Sequence, residues 1–358
     1  MRIAQVAPLY ESVPPQLYGG TERVVSYLTE ELVNQGHKVT LFASGDSVTA
    51  AELVAPCARS LRLDELCVDS LAAHVTLVDQ VLQRASDFDV IHFHIDYLHY
   101  PASRHCPVPH VTTLHGRLDL KELVPLYRQF ADVPVISISD SQRQPLPMAN
   151  WQETIYHGLP RELYSLQPQA DEYLAFVGRI SPEKRVDRAI EIARGSGRKL
   201  KVAAKVDNAD RAYFASIRHL LEGPGVEFVG EICDQDKQEF LGRAAALVFP
   251  VDWPEPFGLV LIEAMACGTP AIAWPCGSVP EVIEHGVSGW ICESISEAVH
   301  AVERIAELSR PRCRQVFDER FTAARMASDY LEIYERLAAG WPRPGRANRA
   351  GPASLARA

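Results

Sequence analysis

The apolar residues in the first half of the chain follow two alternating spacings. Short runs rich in Val and Ile at residues 3–7 and 38–43 enclose residues 21–33, where apolar positions recur at helical spacing, and Gly36 ends this helix. A strand, a helix and a second strand in this order predict a βαβ unit with parallel strands. Further strands are predicted at 90–93, 110–114, 133–137 and 154–157, and a further helix at 71–85.

The same alternation starts again after a polar segment at residues 167–172, which we interpret as a linker. Strands are predicted at 174–177, 200–205, 226–229, 246–250, 269–274 and 289–292. Helices are predicted to begin near Ser181, Ala209, Asp234, Phe257 and Ser278. This pattern indicates a second doubly wound α/β domain.

Amphipathic segments at residues 295–308 and 323–339 follow, and the end of the chain is rich in Pro, Gly and Arg, with too little apolar content to fold. A length of 358 residues also agrees with two domains at about 150 residues each. We therefore predict a first Rossmann-like domain over 1–165, a second over 166–322, a terminal helix over 323–340 and a disordered tail over 341–358.

Composition narrows the class of protein. Apolar residues make up 47% and charged residues 23%, as in ordinary globular proteins, and the net charge of −10 argues against a partner that is nucleic acid. The eight cysteines include no C-x-x-C pair, so we expect reduced thiols rather than a zinc ribbon. No apolar run reaches the ~18 residues of a membrane span, and the first residues do not form a signal peptide. We expect no transmembrane segment and a cytoplasmic location.

The most informative segment is residues 253–263, between a predicted strand and a predicted helix. Glu255 lies in a loop stiffened by two prolines, where it could bind the hydroxyls of a sugar, and Glu263 lies one to two turns into the helix, where a carboxylate can accept both hydroxyls of a ribose. N–H groups at a helix start bind pyrophosphate, and glycine permits close approach. The groups at this start belong to Phe257, Gly258, Leu259 and Val260.

A second segment, residues 176–184, combines two cations with a predicted helix start. Ser181 is expected to cap this helix, with Pro182 at its first position. Arg179 and Lys184 then flank the helix N-terminus, an arrangement suited to stabilising a diphosphate leaving group.

The sequence evidence for site residues in the first domain is weaker. The loop Tyr18-Gly19-Gly20 opens the first helix and suits a close ligand, although it is neither a G-x-G-x-x-G nor a P-loop sequence. His115 follows a strand end, where α/β proteins bind ligands. His92 and His94 share a strand face that could bind a metal, but no third ligand is evident, so we interpret them as hydrogen-bonded histidines.

Together these residues resemble the retaining glycosyltransferases of family 4, which have the glycosyltransferase-B fold, and the resemblance covers residues 1–340. Its most specific element is the Glu-x7-Glu signature formed by Glu255 and Glu263. The glycine loop, the segment from Gly178 to Lys184 and the turn at 277–281 support it. Ser278 departs from the Gly-Gly-x-Pro-Glu pattern of that turn, which bears on how closely the turn approaches the donor.

The resemblance implies an α/β protein with two Rossmann-like doubly wound domains facing a cleft. The second domain would bind a sugar-nucleotide donor such as a UDP-, GDP- or ADP-hexose, the first would bind a hydroxyl acceptor, and the terminal helix would return to the first domain. The resemblance implies neither a metal nor another cofactor. Arg179 and Lys184 would balance the diphosphate. Apart from the resemblance, backbone groups around residues 230–232, which include Ile232, could read the base.

The remaining implied roles concern the transferred sugar. The residue matching Glu263 holds the ribose, that matching Glu255 holds sugar hydroxyls, and that matching His115 lies near the reactive carbon, so that His115, Arg179, Lys184 and Glu255 form the expected catalytic set. The residues leave open the donor sugar and base, and an acceptor that is a sugar, a lipid-linked sugar or a small metabolite. A sugar-nucleotide epimerase or hydrolase, or a non-catalytic sugar-nucleotide sensor, are alternatives.

Overall fold

The computed structural model describes residues 1–16 and 19–341, and two parallel β-sheets organise this part of the chain. Tyr18 and residues 342–358 of the predicted tail lie outside the described residues. Each sheet is covered by helices on both faces, and we call the two parts built on them the first and second domains.

The first domain has a seven-stranded sheet in the order β3-β2-β1-β4-β5-β6-β7, with every neighbouring pair parallel. Its strands are β1 (Arg2–Val6), β2 (Lys38–Phe42), β3 (Glu52–Val54), β4 (Val90–Phe93), β5 (His110–Thr113), β6 (Pro134–Ser137) and β7 (Asn150–Thr154). Its helices are α1 (Gly20–Asn34), α2 (Ser70–Gln83), α3 (Tyr100–Ser103), α4 (Leu123–Gln129) and α5 (Asp140–Arg143).

The second domain has a six-stranded parallel sheet in the order β10-β9-β8-β11-β12-β13. Its strands are β8 (Tyr173–Arg179), β9 (Lys199–Lys205), β10 (Val226–Gly230), β11 (Ala246–Phe249), β12 (Ala271–Ala273) and β13 (Gly289–Ile291). Its helices are α6 (Val186–Gly195), α7 (Arg211–Leu221), α8 (Asp234–Gly242), α9 (Leu259–Ala266), α10 (Val279–Val282), α11 (Ile295–Glu303) and α12 (Arg310–Arg320), and α13 (Ala323–Gly340) follows them in sequence.

Helix α13 lies outside the second domain, although it follows it in sequence. Its buried face packs with Ile3 and Leu28 of the first domain through Met326, Tyr330 and Tyr334. The amphipathic pattern of this segment therefore reflects burial against the first sheet and α1. As a result, the last described helix contributes side chains beneath the first sheet's carboxyl edge.

Two predicted elements differ from the structure. The strand predicted at 154–157 is wrong, because β7 pairs with β6 over residues 150–154. The helix predicted to begin near Ser181 is present as α6, but it begins later than predicted. Residues 182–184 form a single 3₁₀ turn, the Ser181 side chain makes no capping hydrogen bond, and α6 begins only at Val186, after Arg185 takes a left-handed conformation with φ 52°.

The two sheets meet at a cleft that faces the carboxyl ends of their strands. In each sheet the chain order reverses beside the central strand, between β1 and β4 and between β8 and β11. Loops on either side of such a reversal diverge and leave a crevice, which is where doubly wound proteins bind ligands. The topology thus places one crevice on each domain, and the two crevices face one another.

Candidate active site

The cleft between the domains has a volume of ≈ 650 Å³ and is lined by loops from both sheets. The structure brings all the site residues predicted from the sequence to its surface. On the first-domain side, called the N-terminal wall, these are Gly19, Gly20 and His115. On the second-domain side, called the C-terminal wall, they are Arg179, Lys184, Ile232, Glu255, Phe257, Gly258, Leu259, Val260 and Glu263.

The loop before α9 is held by the turn at residues 277–281. Gly277 has φ 63°, and a Cβ atom there would lie 2.3 Å from the backbone N and O of Glu255, so only glycine fits. Ser278 N–H donates to the Glu255 carbonyl at 2.9 Å, and its buried Oγ donates to the Phe257 carbonyl at 2.8 Å. Ser278, the residue that departs from the family pattern, therefore holds the loop in place by two hydrogen bonds to its backbone.

Lys184 and Glu255, predicted for different parts of a ligand, form an ion pair with one another. Glu255 also accepts a hydrogen bond from Trp253 Nε1 at 2.8 Å, and the Lys184 ammonium lies 5.1 Å from the Trp253 ring centroid. Both charged side chains are largely buried, so each holds the other in place at the cleft.

Arg179 is surrounded by carboxylates at the edge of the cleft. Its Nη2 donates to Glu183 at 2.9 Å, and its Nη1 lies 3.6 Å from Asp207 and 3.8 Å from Asp210. The 3₁₀ turn at 182–184 brings Lys184 to the same wall. The two cations thus line one surface, although the helix N-terminus expected between them is replaced by this turn.

Glu263 is 2% exposed and lies on α9 beneath the C-terminal wall. Its carboxylate accepts a hydrogen bond from Lys237 Nζ at 2.9 Å, and Lys237 lies 3.3 Å from Asp234. Asp234 pairs in turn with Arg23 of α1 in the first domain. An ion-pair chain therefore crosses from the predicted ribose carboxylate to the opposite domain.

The N-terminal wall includes a group of histidine rings, beside charged residues such as Arg23 and Arg62. His115 Nε2 lies 2.9 Å from His94 Nδ1, and the His115 ring stacks on His157 with centroids 5.3 Å apart. Desolvation by the surrounding protein lowers the pKa of His115 to about 3 and that of His94 well below its ordinary value. These rings are neutral near pH 7. No group of three metal-ligating side chains occurs among residues 1–16 and 19–341.

The glycine loop meets the C-terminal wall across the cleft. A Cβ atom on Gly20 would lie 3.7 Å from Leu259 at the start of α9. Behind this loop, Glu22 is buried, and burial raises its pKa to about 7. The glycine loop of the first domain and the start of α9 therefore lie close together at the cleft.

Sequence reasoning assigned no role to several groups at the cleft, among them Arg23, Glu22, Trp253 and Lys237. Trp253 lies in the segment 253–263, but nothing in its position indicates the hydrogen bond to Glu255. Lys237 is one polar residue of a helix whose residues are mostly polar, and only the packing of α8 beside α9 brings it to Glu263. An i, i+3 relation with Asp234 was the one signal available.

Comparison with known proteins agrees with this architecture. Residues 18–144 match the model of glycosyltransferase family 4, and residues 165–320 match that of the glycosyl transferases group 1. The chain belongs to the family 4 glycosyltransferases, and its two doubly wound domains form the glycosyltransferase-B fold. No helix among the described residues is both long and apolar enough to cross a membrane.

Among its relatives is N-acetyl-alpha-D-glucosaminyl L-malate synthase of Bacillus anthracis, which is 25% identical over 371 residues, covering 88% of this chain and 93% of the relative. The solved structure of AviGT4, a glycosyltransferase involved in avilamycin A biosynthesis, is 24% identical, with a TM-score of 0.73 over 96% of this chain and 100% of that one. Anabaena HepE in complex with UDP-glucose is 19% identical, with a TM-score of 0.70 over 94% of this chain and 100% of that one.

Proposed function

We propose that the protein transfers a hexosyl group from a nucleotide-diphosphate sugar to a hydroxyl acceptor, with retention of anomeric configuration. The observation that carries the proposal is the C-terminal wall, where Arg179, Lys184, Glu255 and Glu263 line one side of an interdomain cleft with the start of α9. This combination of two cations, N–H groups and two carboxylates matches the parts of a sugar nucleotide. The bound UDP-glucose of HepE, a protein of the same fold, supports the donor class.

In this proposal each group of the donor has a partner on the wall. The diphosphate lies against Arg179, Lys184 and the N–H groups at the start of α9, and a phosphate offers Lys184 a second anionic partner beside Glu255. The ribose hydroxyls are bound by Glu263, and sugar hydroxyls by Glu255. The base lies against the loop around Ile232.

The chemical step needs charge stabilisation rather than a nucleophilic side chain. The bond between the anomeric carbon and the leaving phosphate oxygen breaks, and negative charge grows on the diphosphate beside Arg179 and Lys184. The acceptor hydroxyl attacks from the same face, and a leaving phosphate oxygen takes its proton, so the configuration is retained. His115, which is neutral, would lie near the reactive carbon. Neither a metal nor another cofactor takes part in this scheme.

The experiment combines a binding screen with product analysis. UDP-, GDP- and ADP-hexoses are screened by thermal shift, because a ligand that binds only the native state raises the unfolding temperature. The stabilising donor is then incubated with acceptors, and NMR couplings give the anomeric configuration of the product. We expect one donor class to stabilise and the product to keep the donor's configuration.

Other results would change the assignment in defined ways. An inverted product would overturn retention, and the absence of any stabilising sugar nucleotide would overturn the donor class. Free sugar released without an acceptor would indicate a hydrolase, and interconversion of the donor an epimerase. Tight binding without turnover would indicate a sensor. The complete set of cations and carboxylates at the cleft argues against this alternative.

A further inference from the structure

A buried chain of hydrogen bonds runs from the terminal helix to the cleft histidine. Gln5 Nε2 donates to Tyr334 Oη at 3.1 Å, and Gln5 Oε1 lies 2.8 Å from His94 Nε2. His94 Nδ1 lies 2.9 Å from His115 Nε2. We call these four residues, Tyr334, Gln5, His94 and His115, the histidine relay. They come from α13, β1, the end of β4 and the end of β5.

The polarity of Gln5 determines where each proton lies. The carbonyl oxygen of its side chain can only accept a hydrogen bond, so His94 Nε2 carries a proton and donates it to Gln5 Oε1. A neutral imidazole has one N–H, which leaves a lone pair on His94 Nδ1. His115 must then donate from Nε2, and its own lone pair lies on Nδ1.

Tyr334 is the hydrogen-bond partner of the Gln5 amide N–H in this orientation. Its hydroxyl accepts from Gln5 Nε2 and lies 2.6 Å from His92 Nδ1, to which it can donate. His92 Nε2 then donates to Thr113 Oγ1 at 2.7 Å. Burial lowers the pKa of both His92 and His94 well below the ordinary value, so neither ring carries a second proton that would reverse the order.

The relay ends at His115 Nδ1, which has no hydrogen-bond partner among the described residues. His115 lines the cleft, and its Nδ1 is buried. Leaving a buried acceptor unpaired is unfavourable, and a hydroxyl group that enters the cleft would supply the missing donor. The opposite tautomer would present an N–H there and could not accept this hydrogen.

We propose that Gln5 and His94 are positioning residues that hold His115 with its proton on Nε2, so that Nδ1 offers a lone pair to a substrate hydroxyl. This inference rests on the proposed function for the identity of the substrate but not for the state of the ring. Through Tyr334, the terminal helix takes part in setting the chemistry of the cleft.

The first test reads the ring state directly. In protein labelled with ¹⁵N-histidine, two-bond ¹H–¹⁵N spectra distinguish the two tautomers, and the signals of His115 are assigned by their loss in His115→Asn. We expect Nε2 to be protonated and Nδ1 unprotonated. A proton on Nδ1 in the unaltered protein would overturn the proposal, whether or not any transfer activity has been found.

The second test removes the relay without touching His115. Gln5→Met keeps the volume and removes the acceptor, so both tautomers of His115 should appear and kcat should fall about tenfold, with donor KM changed less than twofold. Tyr334→Phe removes only the hydrogen-bond partner of the Gln5 amide, and a smaller fall of about threefold is expected.

A matched control separates positioning from general destabilisation. Thr112→Val removes a comparable buried hydrogen bond, the 2.7 Å contact with His99 Nε2, which lies outside the relay. It should lower the unfolding temperature by a similar amount and leave both kcat and the His115 spectrum unchanged. If Gln5→Met retains full kcat, or loses no more than Thr112→Val, the positioning role is wrong. Loss of all transfer with every donor in the unaltered protein, but with the expected tautomer, would instead overturn the proposed function alone.

Discussion

The two walls of the cleft are made from different chemistry. The C-terminal wall is charged, and its cations lie beside carboxylates, as with Lys184 beside Glu255 and Lys237 beside Glu263. One part of the N-terminal wall is a chain of neutral histidines joined by hydrogen bonds, with His115 at the cleft, and we call this part the neutral wall. A charged wall can stabilise a leaving diphosphate, whereas a neutral wall can orient hydroxyl groups without attracting a competing ion.

The two walls are stabilised in different ways when their side chains are buried. A charge in a protein interior is tolerated when a partner of opposite charge is close, and the C-terminal wall meets this condition with ion pairs. The histidines of the N-terminal wall are buried in the neutral form, because desolvation lowers their pKa and keeps them deprotonated. The comparison predicts that the walls respond differently to loss of charge, to pH and to chelators.

The largest expected effect is on turnover at the charged wall. Arg179→Ala and Lys184→Ala should each lower kcat by on the order of 10², because in the proposed reaction their charge stabilises the negative charge that grows as the glycosidic bond breaks. Donor KM should change less than kcat. Steady-state kinetics with a saturating acceptor measure both quantities.

Two comparisons test this interpretation of the cations. The double variant should lose less than the product of the single losses, since both cations serve one phosphate group. Arg243→Ala, which removes an exposed ion pair with Asp171 away from the cleft, should leave kcat unchanged. A higher KM with unaltered kcat would mean that the pair acts only in the ground state.

The next effect is on donor affinity. Glu263→Ala should weaken binding of the preferred nucleotide by roughly ten- to hundredfold, about 1.5–3 kcal/mol, because the proposed function assigns two ribose hydroxyls to this carboxylate. Calorimetric titration measures the affinity directly. Glu239→Ala on the exposed side of α8 is the matched carboxylate control, and it should bind like the unaltered protein. Equal affinities in the two variants would remove the ribose assignment.

The two walls also differ in how far the sequence predicts them. Glu255, Gly258 and Glu263 belong to one strand, loop and helix, so their spacing alone carries the signal of the C-terminal wall. The histidine relay joins Gln5 to Tyr334 across 329 positions, and no spacing rule connects them. Only the return of α13 to the first sheet brings them together.

Individual strands and helix starts also differ in how well the sequence predicts them. Central strands such as β11 are buried along their length, so a continuous apolar run locates them well. The edge strand β3 is short and partly exposed, and its pattern carried no prediction. The Ser181 cap failed because the chain turns at once into a 3₁₀ turn and leaves it through Arg185 in a left-handed conformation, which local propensity disfavours.

A smaller effect concerns pH and stability, and it arises from the neutral wall. Histidines with a native pKa below 6.5, such as His115 at about 3, stay neutral when folded but take up protons when unfolded. The free energy of unfolding should therefore decrease as pH falls from about 6.5, by at most ~1.4 kcal/mol per pH unit for each such histidine. Glu22, with its pKa raised to about 7, has the opposite sign between 4.5 and 7, but it is a single group.

Urea unfolding at pH ~7, ~6 and ~5 measures this slope. His110→Gln removes one buried histidine whose pKa is lowered by burial and which lies outside the cleft, so its slope should be smaller than that of the unaltered protein. Stability that stays constant or rises on acidification would contradict the assignment of neutral buried rings.

The smallest expected effect is that of chelation, for which we expect no change. In the proposed binding mode Arg179 and Lys184 neutralise the diphosphate, a role that a divalent cation has in other enzymes, so transfer should proceed at the same rate in EDTA. The neutral wall offers His94 and His115 as nitrogen ligands, but their facing nitrogens, 2.9 Å apart, already share one hydrogen bond. Initial rates with EDTA, and again after adding Mn²⁺ or Mg²⁺, measure any dependence. Activity that disappears in EDTA and returns with the ion would require a metal site at the ends of β4 and β5, near Asp96, and the division of the cleft into a charged and a neutral wall would then be wrong.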